Sequence, residues 1–350
     1  MFIAIRDLRF ARGRFALIGA VIALMTFLVV MLSGLTAGLG SASISAVRDL
    51  PVDSIAFAKP AAGQAVSFTG SALPADTVGQ LAAVPGVTAA HPLGVATTQL
   101  ENGDAAAAVT VIGTDPGLLP PLTAGRTPAA GQIAVAGALT KDAHVHVGDT
   151  VTLGGTRFTV SATVEDTSFS HMPTVYTSVD TWRQIAHTDT ITAVGLTGTP
   201  THDVPGVTVV SKSAAFGAVG GYSAEQGSLN LIRLLLVAVS VLVVGSFFTV
   251  WTMQRAGDLA VVRAIGGSRR YLLRDALGQA LLIMVLGAGV GAGLAAVLGL
   301  LAANVVPFTL SAATLALPMV VMIVAGLVGA AASTRRISTI DPLTALGASR

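Results

Sequence analysis

Three strongly apolar blocks of the chain run without a single charge over about 20 residues or more, and between them polar and apolar positions alternate on a shorter scale. The first block starts at Phe15, and its strongly apolar part ends near Leu39. The second runs from Leu234 to Gln254, the third from Ala276 to Thr334. A helix of about 20 apolar residues crosses the hydrocarbon of a bilayer. The third block is far too long for one span. The stretch NVVPF, Asn304 to Phe308, divides it, because Pro307 lacks a backbone donor and disfavours a continuous helix. The pattern therefore predicts an α-helical membrane protein with four transmembrane helices, and an even number puts both termini on one side. The first block is read as an uncleaved span, because a signal peptide has an apolar core of only about 7–15 residues.

The long segment between the first two spans reads differently. It is rich in Ala, Gly, Thr, Val and Pro and carries short periodic elements. VTLGGTRFTVSATV, Val151 to Val164, alternates around Gly154-Gly155 as a hairpin does. Pro74 to Val84 reads as a short helix stopped by Pro85-Gly86, and Ser178 to Ala186 as another, capped by Ser178 or Asp180. His144 and His146 are expected to share one face of a strand. The segment is thus a large α+β domain. The predicted order is 1–39 for the N-terminal segment and first span, 40–228 for the domain and 229–254 for the second span. A short connecting helix follows at 255–271, then spans at 272–304 and 312–334 and a tail at 335–350.

Charge orients this plan. Residues 1–14, 255–275 and the tail together carry twelve arginines against Asp7, Asp258, Asp275 and Asp341, whereas residues 40–228 carry seven basic and fourteen acidic residues. Basic residues near span ends stay in the cytoplasm. The termini and the 255–275 connection are expected inside and the α+β domain outside, in a multi-pass protein of the cell membrane. Only 11% of the chain is charged and 53% is apolar, too little charge for a fully water-solvated surface. There is no cysteine, which excludes disulfides, thiolate metal sites and cysteine nucleophiles. The lysines are Lys59, Lys141 and Lys212, none after a glycine, so no standard phosphate-binding loop is available. No G-x-S-x-G or H-E-x-x-H stretch exists, and nothing points to an enzyme or to nucleic-acid binding.

Two local patterns carry mechanical meaning. Gly287, Gly291 and Ala295 fall four apart in the third span and form a small-residue ridge, which lets helix backbones approach closely in lipid. Packing within one bundle is the plain reading, a moving contact the sharper one. In QRAGDLAVVRAIGGSRRYLLRD, Leu259, Val262 and Ile265 fall on one helical face while Arg255, Asp258 and Arg263 are polar. Gly266-Gly267 can supply a left-handed stop, and Ser268 suits the cap of the next helix. A short helix held against the headgroups and turned sharply back fits a rigid lever as well as it fits a simple interfacial anchor.

The run Arg255-x-x-Asp258 followed by Val262-Arg263-Ala264-Ile265-Gly266 resembles the coupling region of FtsX/MacB-type ABC transporter permeases. In that family an Arg-x-x-Glu precedes the same kind of run, so Asp258 departs by one methylene. The tail, with Arg335, Arg336, Asp341, Pro342 and Leu346, is similar to the end of those proteins, and the whole order of spans agrees. The resemblance implies a homodimer bound to two copies of a separate cytoplasmic ATPase, which binds ATP on its own chain. Arg255, Asp258, Arg263, Gly266, Arg269 and Arg270 would be the coupling residues, passing force to the outer domains by mechanotransmission. RDLRFARGRFALIGAVIALMTFLVVMLSGLTAGL and SFSHMPTVYTS resemble the DevC/HrtB branch, in which HrtB-type permeases export haem.

That branch implies efflux of haem or a similar amphiphile as a transported ligand, with no permanently bound cofactor or metal. Haem iron takes axial ligands such as His, Met, Tyr or carboxylate. The candidates, in order, are Tyr222, Glu225 and Met31, at the outer ends of spans one and two. Met31 suits packing equally well, and Tyr222 an interfacial anchor. Glu225 is a carboxylate close to hydrocarbon, which is costly unless used or hydrated. His171, in SFSHMP, offers an imidazole that could support or ligate, but it is not counted among the candidates. The alternative function is an FtsX-type relay that controls an extracellular partner without transport.

Overall fold

The structure is a computed structural model that describes residues 12–254, 266, 268–303 and 306–337. It divides into two compact units, one of residues 1–38 with 228–350 and one of residues 39–227. Its long helices are α1 (Arg12–Arg48), α6 (Tyr222–Gln254), α7 (Arg269–Ala302) and α8 (Ala312–Ile337). All four hold a stretch long and apolar enough to cross a membrane. α1 continues past Leu39, where the apolar block thins, to Arg48. It does so because Ile44, Ala46 and Val47 give its last turns an apolar face that is buried in the second unit. α7 and α8 are separate helices, with Pro307 between them as the sequence requires.

In the helical unit the glycine ridge faces α1. A side chain at Gly287 would collide with Ile22 and the Gly19 carbonyl, and one at Gly291 with the Ala23 carbonyl. Ala295 is fully buried with Val30 and Ala292. The ridge therefore serves close packing between the first and third spans, where hydrocarbon offers no hydrophobic drive and contact depends on backbones coming together. Ile18, Ile22, Val244, Phe248, Met284 and Ala330 fill a second cluster.

The second unit is built on a mixed sheet of eleven strands. The strands are β1 (Ser54–Ala58), β2 (Val87–Asn102), β3 (Ala105–Thr114), β4 (Leu122–Gly125), β5 (Gln132–Ala136), β6 (Thr150–Leu153), β7 (Thr156–Val164), β8 (Ser168–Phe169), β9 (Met172–Thr177), β10 (Ala193–Gly198) and β11 (Val207–Ser211). Pairing runs β11-β1-β10-β2-β3-β9-β5-β7-β4, and β6 pairs with both β2 and β7. Six strands, β2-β3-β9-β5-β7-β6, thus close a ring of hydrogen bonds, which removes their free edges. Alternation along the strands sorts side chains to two sides. Val111, Ile133, Val135 and Val175 enter one core; their neighbours Ile112, Ala134 and Tyr176 enter another, shared with Ile44, Val47 and Leu50. The hairpin expected at Gly154-Gly155 is β6–β7, with both glycines at positive φ. The two short helices expected are α2 (Thr77–Ala82) and α4 (Val179–Ala186), and a one-turn helix, α5 (Lys212–Ala215), follows β11. Ser178, not Asp180, caps α4 by accepting from the Thr181 N–H. Trp182 of α4 lies on Gly94 and Gly113, which pair across β2 and β3 and leave room for its ring.

One expectation fails. His144 and His146 do not lie on a strand; they fall in the bend between α3 (Ala138–Asp142) and β6. His144 takes a left-handed φ of 52° so that the chain can reverse, with Val145 buried between two exposed imidazoles.

A buried polar chain ties β9 to the loop before β8. Tyr176 is fully buried, and its hydroxyl lies 3.0 Å from Thr167 Oγ1, which lies 2.6 Å from Thr174 Oγ1. Thr174 donates onward to the Thr167 carbonyl, so the chain runs one way, from the phenol as donor. Burial raises the Tyr176 pKa above its ordinary value, and the threonine hydroxyls offset part of that. The neutral phenol's contribution is therefore whole below about pH 10 and is lost as pH rises through the raised value. Thermal unfolding followed from about pH 8 to pH 11 should show the native chain losing stability steeply at the alkaline end. Tyr176→Phe should be less stable by about 1 kcal/mol at neutral pH and show a shallower alkaline loss.

Candidate substrate and coupling site

The first turn of α6 and the last turns of α1 are held together by the tip of the β8–β9 hairpin. Phe169 pairs with Met172, leaving Ser170 and His171 as a two-residue turn. Both have positive φ, 51° and 64°, as a type I′ turn demands. Asn-Gly is the favoured sequence there, and Ser-His pays steric strain for the conformation. Contacts with α1 offset it. The Ser170 and His171 N–H groups donate to the Ser43 and Ala42 carbonyls at 2.8 and 3.1 Å. Ser45 Oγ accepts from the Ser168 N–H at 2.8 Å. Gly40 of α1 meets the Gln226 amide of α6.

From this fixed turn the His171 side chain reaches α6, where its Nε2 lies 3.0 Å from Glu225 Oε2. Both side chains are partly open to solvent, 43% for His171 and 26% for Glu225. Glu225 also sits in the first turn of a long helix, where negative charge is favoured by the helix dipole. These two effects account for a carboxylate at the end of an apolar helix. Tyr222 lies one turn before it on α6. Its ring packs edge-to-face on Phe216 at 6.5 Å and against the core that contains Val219.

The structure thus brings Tyr222 and Glu225 onto one helical turn and adds His171 to them. Met31 belongs to the helical unit, where it is half-buried beside Val30, Phe27 and Met319. His171 stood outside the sequence-derived set because its partner is 54 positions away. The signal that could have found it was the hairpin itself, since a Ser-His pair in a two-residue turn fixes where an imidazole points. Among the described residues no cluster of three or more His, Asp or Glu forms a metal site.

Of the coupling residues, Arg255, Asp258 and Arg263 lie outside the described residues. Gly266 is exposed with φ of 103°, the left-handed geometry anticipated for a helix stop. Ser268 directly precedes α7, which begins at Arg269-Arg270.

A MacB-like periplasmic core domain matches residues 15–227, and an FtsX-like permease C-terminal domain matches residues 230–342. The chain belongs to the FtsX/MacB-type ABC transporter permeases. It is 32% identical to the uncharacterized ABC transporter permease Rv0072 of Mycobacterium tuberculosis over 99% of each chain. It is 26% identical, again over 99% of each chain, to the "Putative hemin transport system permease protein HrtB" of Staphylococcus haemolyticus. The periplasmic region of MacB from Actinobacillus actinomycetemcomitans is similar at 13% identity and a TM-score of 0.37, covering 50% of this chain and 96% of that one. The permease is a multi-pass membrane protein with an extracytoplasmic α+β domain. Permease subunits of this kind are not themselves catalytic, and the family implies a cytoplasmic ATPase partner.

The strained turn makes a direct expectation. Ser170→Gly removes the left-handed penalty while keeping His171 and should stabilise the permease by about 1 kcal/mol. His171→Ala should cost no more than about 1 kcal/mol, because its contact with Glu225 is partly solvated. Thermal unfolding of both variants in detergent checks the pair of values.

Proposed function

We propose that this permease exports haem, or an amphiphile of similar shape, from the membrane. ATP is hydrolysed by a separate ATPase, and two copies of each chain form the working complex. The termini and the Arg255–Arg270 connection face the cytoplasm, where the ATPase pushes on Arg255, Asp258, Arg263, Gly266, Arg269 and Arg270, and the outer domains move in response. The observation that carries the reading is the cluster of Tyr222, Glu225 and His171 at the start of α6. A phenol, a carboxylate and an imidazole are all iron-ligating types, and they stand at the end of a helix that is otherwise apolar. Met31 is the remaining proposed contact, as a soft ligand or apolar wall. The hemin transport named for the staphylococcal relative supports the same substrate class.

In this reading Glu225 is held by His171 when empty and exchanges that partner for iron when loaded. His171 keeps the carboxylate oriented and becomes a ligand or a hydrogen-bond partner in its turn. The test is an absorption titration of the purified permease with haemin. A shift of the Soret band saturating near one haemin per site is expected, with apparent affinity weakened about tenfold in Glu225→Gln or Tyr222→Phe. The absence of a shift at stoichiometric haemin removes haem as substrate. Nucleotide hydrolysis that responds only to an added extracellular protein would favour the signal-relay function instead.

A further inference from the structure

The connection between α7 and α8 places one aromatic ring into a slot made of glycine. Phe308 has no helix of its own; it lies in the irregular segment 306–311. Its ring edge fits between Gly34 of α1 and Gly299 of α7, and a side chain at either glycine would collide with the ring. A side chain at Gly38, one turn further along α1, would strike the Pro307 carbonyl. The Thr309 N–H donates to the Gly34 carbonyl at 3.1 Å, fixing the segment against α1. Three glycines on two helices therefore admit one ring and the backbone that carries it.

We propose that Phe308 is a releasable latch, a positioning residue for the transport cycle. Seated, it pins the α1 end near Gly34 to the α7 end near Gly299 through the α7–α8 connection. Withdrawn, it lets these two spans move apart. Three features of the site favour release. The ring itself contributes no hydrogen bond, so its own withdrawal breaks only dispersion contacts. Gly34's carbonyl also accepts within α1, and Thr309 is exposed, so the loss of the Thr309 bond leaves neither an orphan acceptor nor a buried orphan donor. A ring leaving the slot beside hydrocarbon exchanges protein for lipid at little hydrophobic cost, unlike the same movement into water. The glycine ridge deeper in the same seam lies on the Ile22 side chain and the Gly19 carbonyl at Gly287 and on α1 backbone at Gly291, all belonging to the helix itself, with no ring from a connection between them. The seam thus has a permanent contact at Gly287–Gly291 and a removable one at Phe308. The inference rests on ATP-driven movement of the family's permeases and is independent of haem.

The chain's lack of cysteine allows spin labels at Leu35→Cys and Leu301→Cys, on α1 and α7 near the slot. In lipid nanodiscs the native background should give a narrow distance distribution. Phe308→Ala and Gly299→Ala should each broaden it, one by emptying the slot and one by expelling the ring. The double variant should match Phe308→Ala alone, since no ring remains to collide, and Phe308→Leu serves as a milder variant if the alanine form fails to fold. In the complex with its ATPase, trapping with ATP and vanadate should shift the native distribution, and produce no comparable shift in Phe308→Ala. A distribution unchanged by Phe308→Ala and Phe308→Leu overturns the latch. A native distribution that stays fixed under trapping overturns its release. Neither result depends on haemin binding, so failure here and failure of the haem reading are separable.

Discussion

Backbone approaching backbone at glycine is the contact on which the membrane part of this molecule depends. In hydrocarbon the chain must satisfy its own N–H and C=O groups, so it crosses as helices. Those helices gain nothing from excluding lipid from apolar side chains. They gain from dispersion and from shape, and shape at this scale is set by where a Cβ is missing. Gly287 and Gly291 let α7 lie on α1, Gly245 and Gly329 bring α6 to α8, and Gly34, Gly38 and Gly299 admit the α7–α8 connection. A substitution at Gly291 or Gly329 would press one helix backbone away from another, whereas one at Gly34 or Gly299 would displace the Phe308 ring.

The sheet-containing unit obeys the opposite solvent rule. There, burial of apolar surface drives folding, and strand alternation divides that surface into separate cores. Closing six strands into a ring leaves a compact body whose remaining edges, β4 and β11, are short. The last turns of α1 supply part of its core, so the helix that begins among membrane residues ends among those of the domain. A polar chain from Tyr176 through Thr167 to Thr174 is tolerated inside because every hydroxyl in it has a partner.

The candidate binding cluster lies where those helix ends and the hairpin tip meet. Its chemistry follows from a conformational cost. The Ser170-His171 turn is held in a geometry that glycine and asparagine favour, and the bonds to Ala42, Ser43 and Ser45 hold it there. Strain of this kind persists where the surrounding structure over-determines it. The outcome is an imidazole set beside Glu225 by the backbone, and not by a flexible reach.

Much of the architecture was readable from periodicity. Three apolar blocks, the proline break at Pro307, the Gly154-Gly155 hairpin and the Ser178 cap are local facts, decided by a few adjacent residues and by the solvent each must face. The likeness of Arg255–Gly266 and of the tail to a permease family was likewise carried by short motifs. Tertiary structure alone decided the rest. Strand alternation did not reveal that β6 would close a ring by pairing with β2, because that bond joins residues far apart in sequence. A histidine pair two residues apart looked like one face of a strand until the need to reverse direction after α3 placed it in a bend. Glu225 was visible as an anomalous charge, but its partner was not, since His171 reaches it only through the folding of a hairpin onto α1. Glycines at 34, 38 and 299 show their purpose only when a ring from a distant connection is seen between them, for the sequence records a missing side chain but not what fills its place.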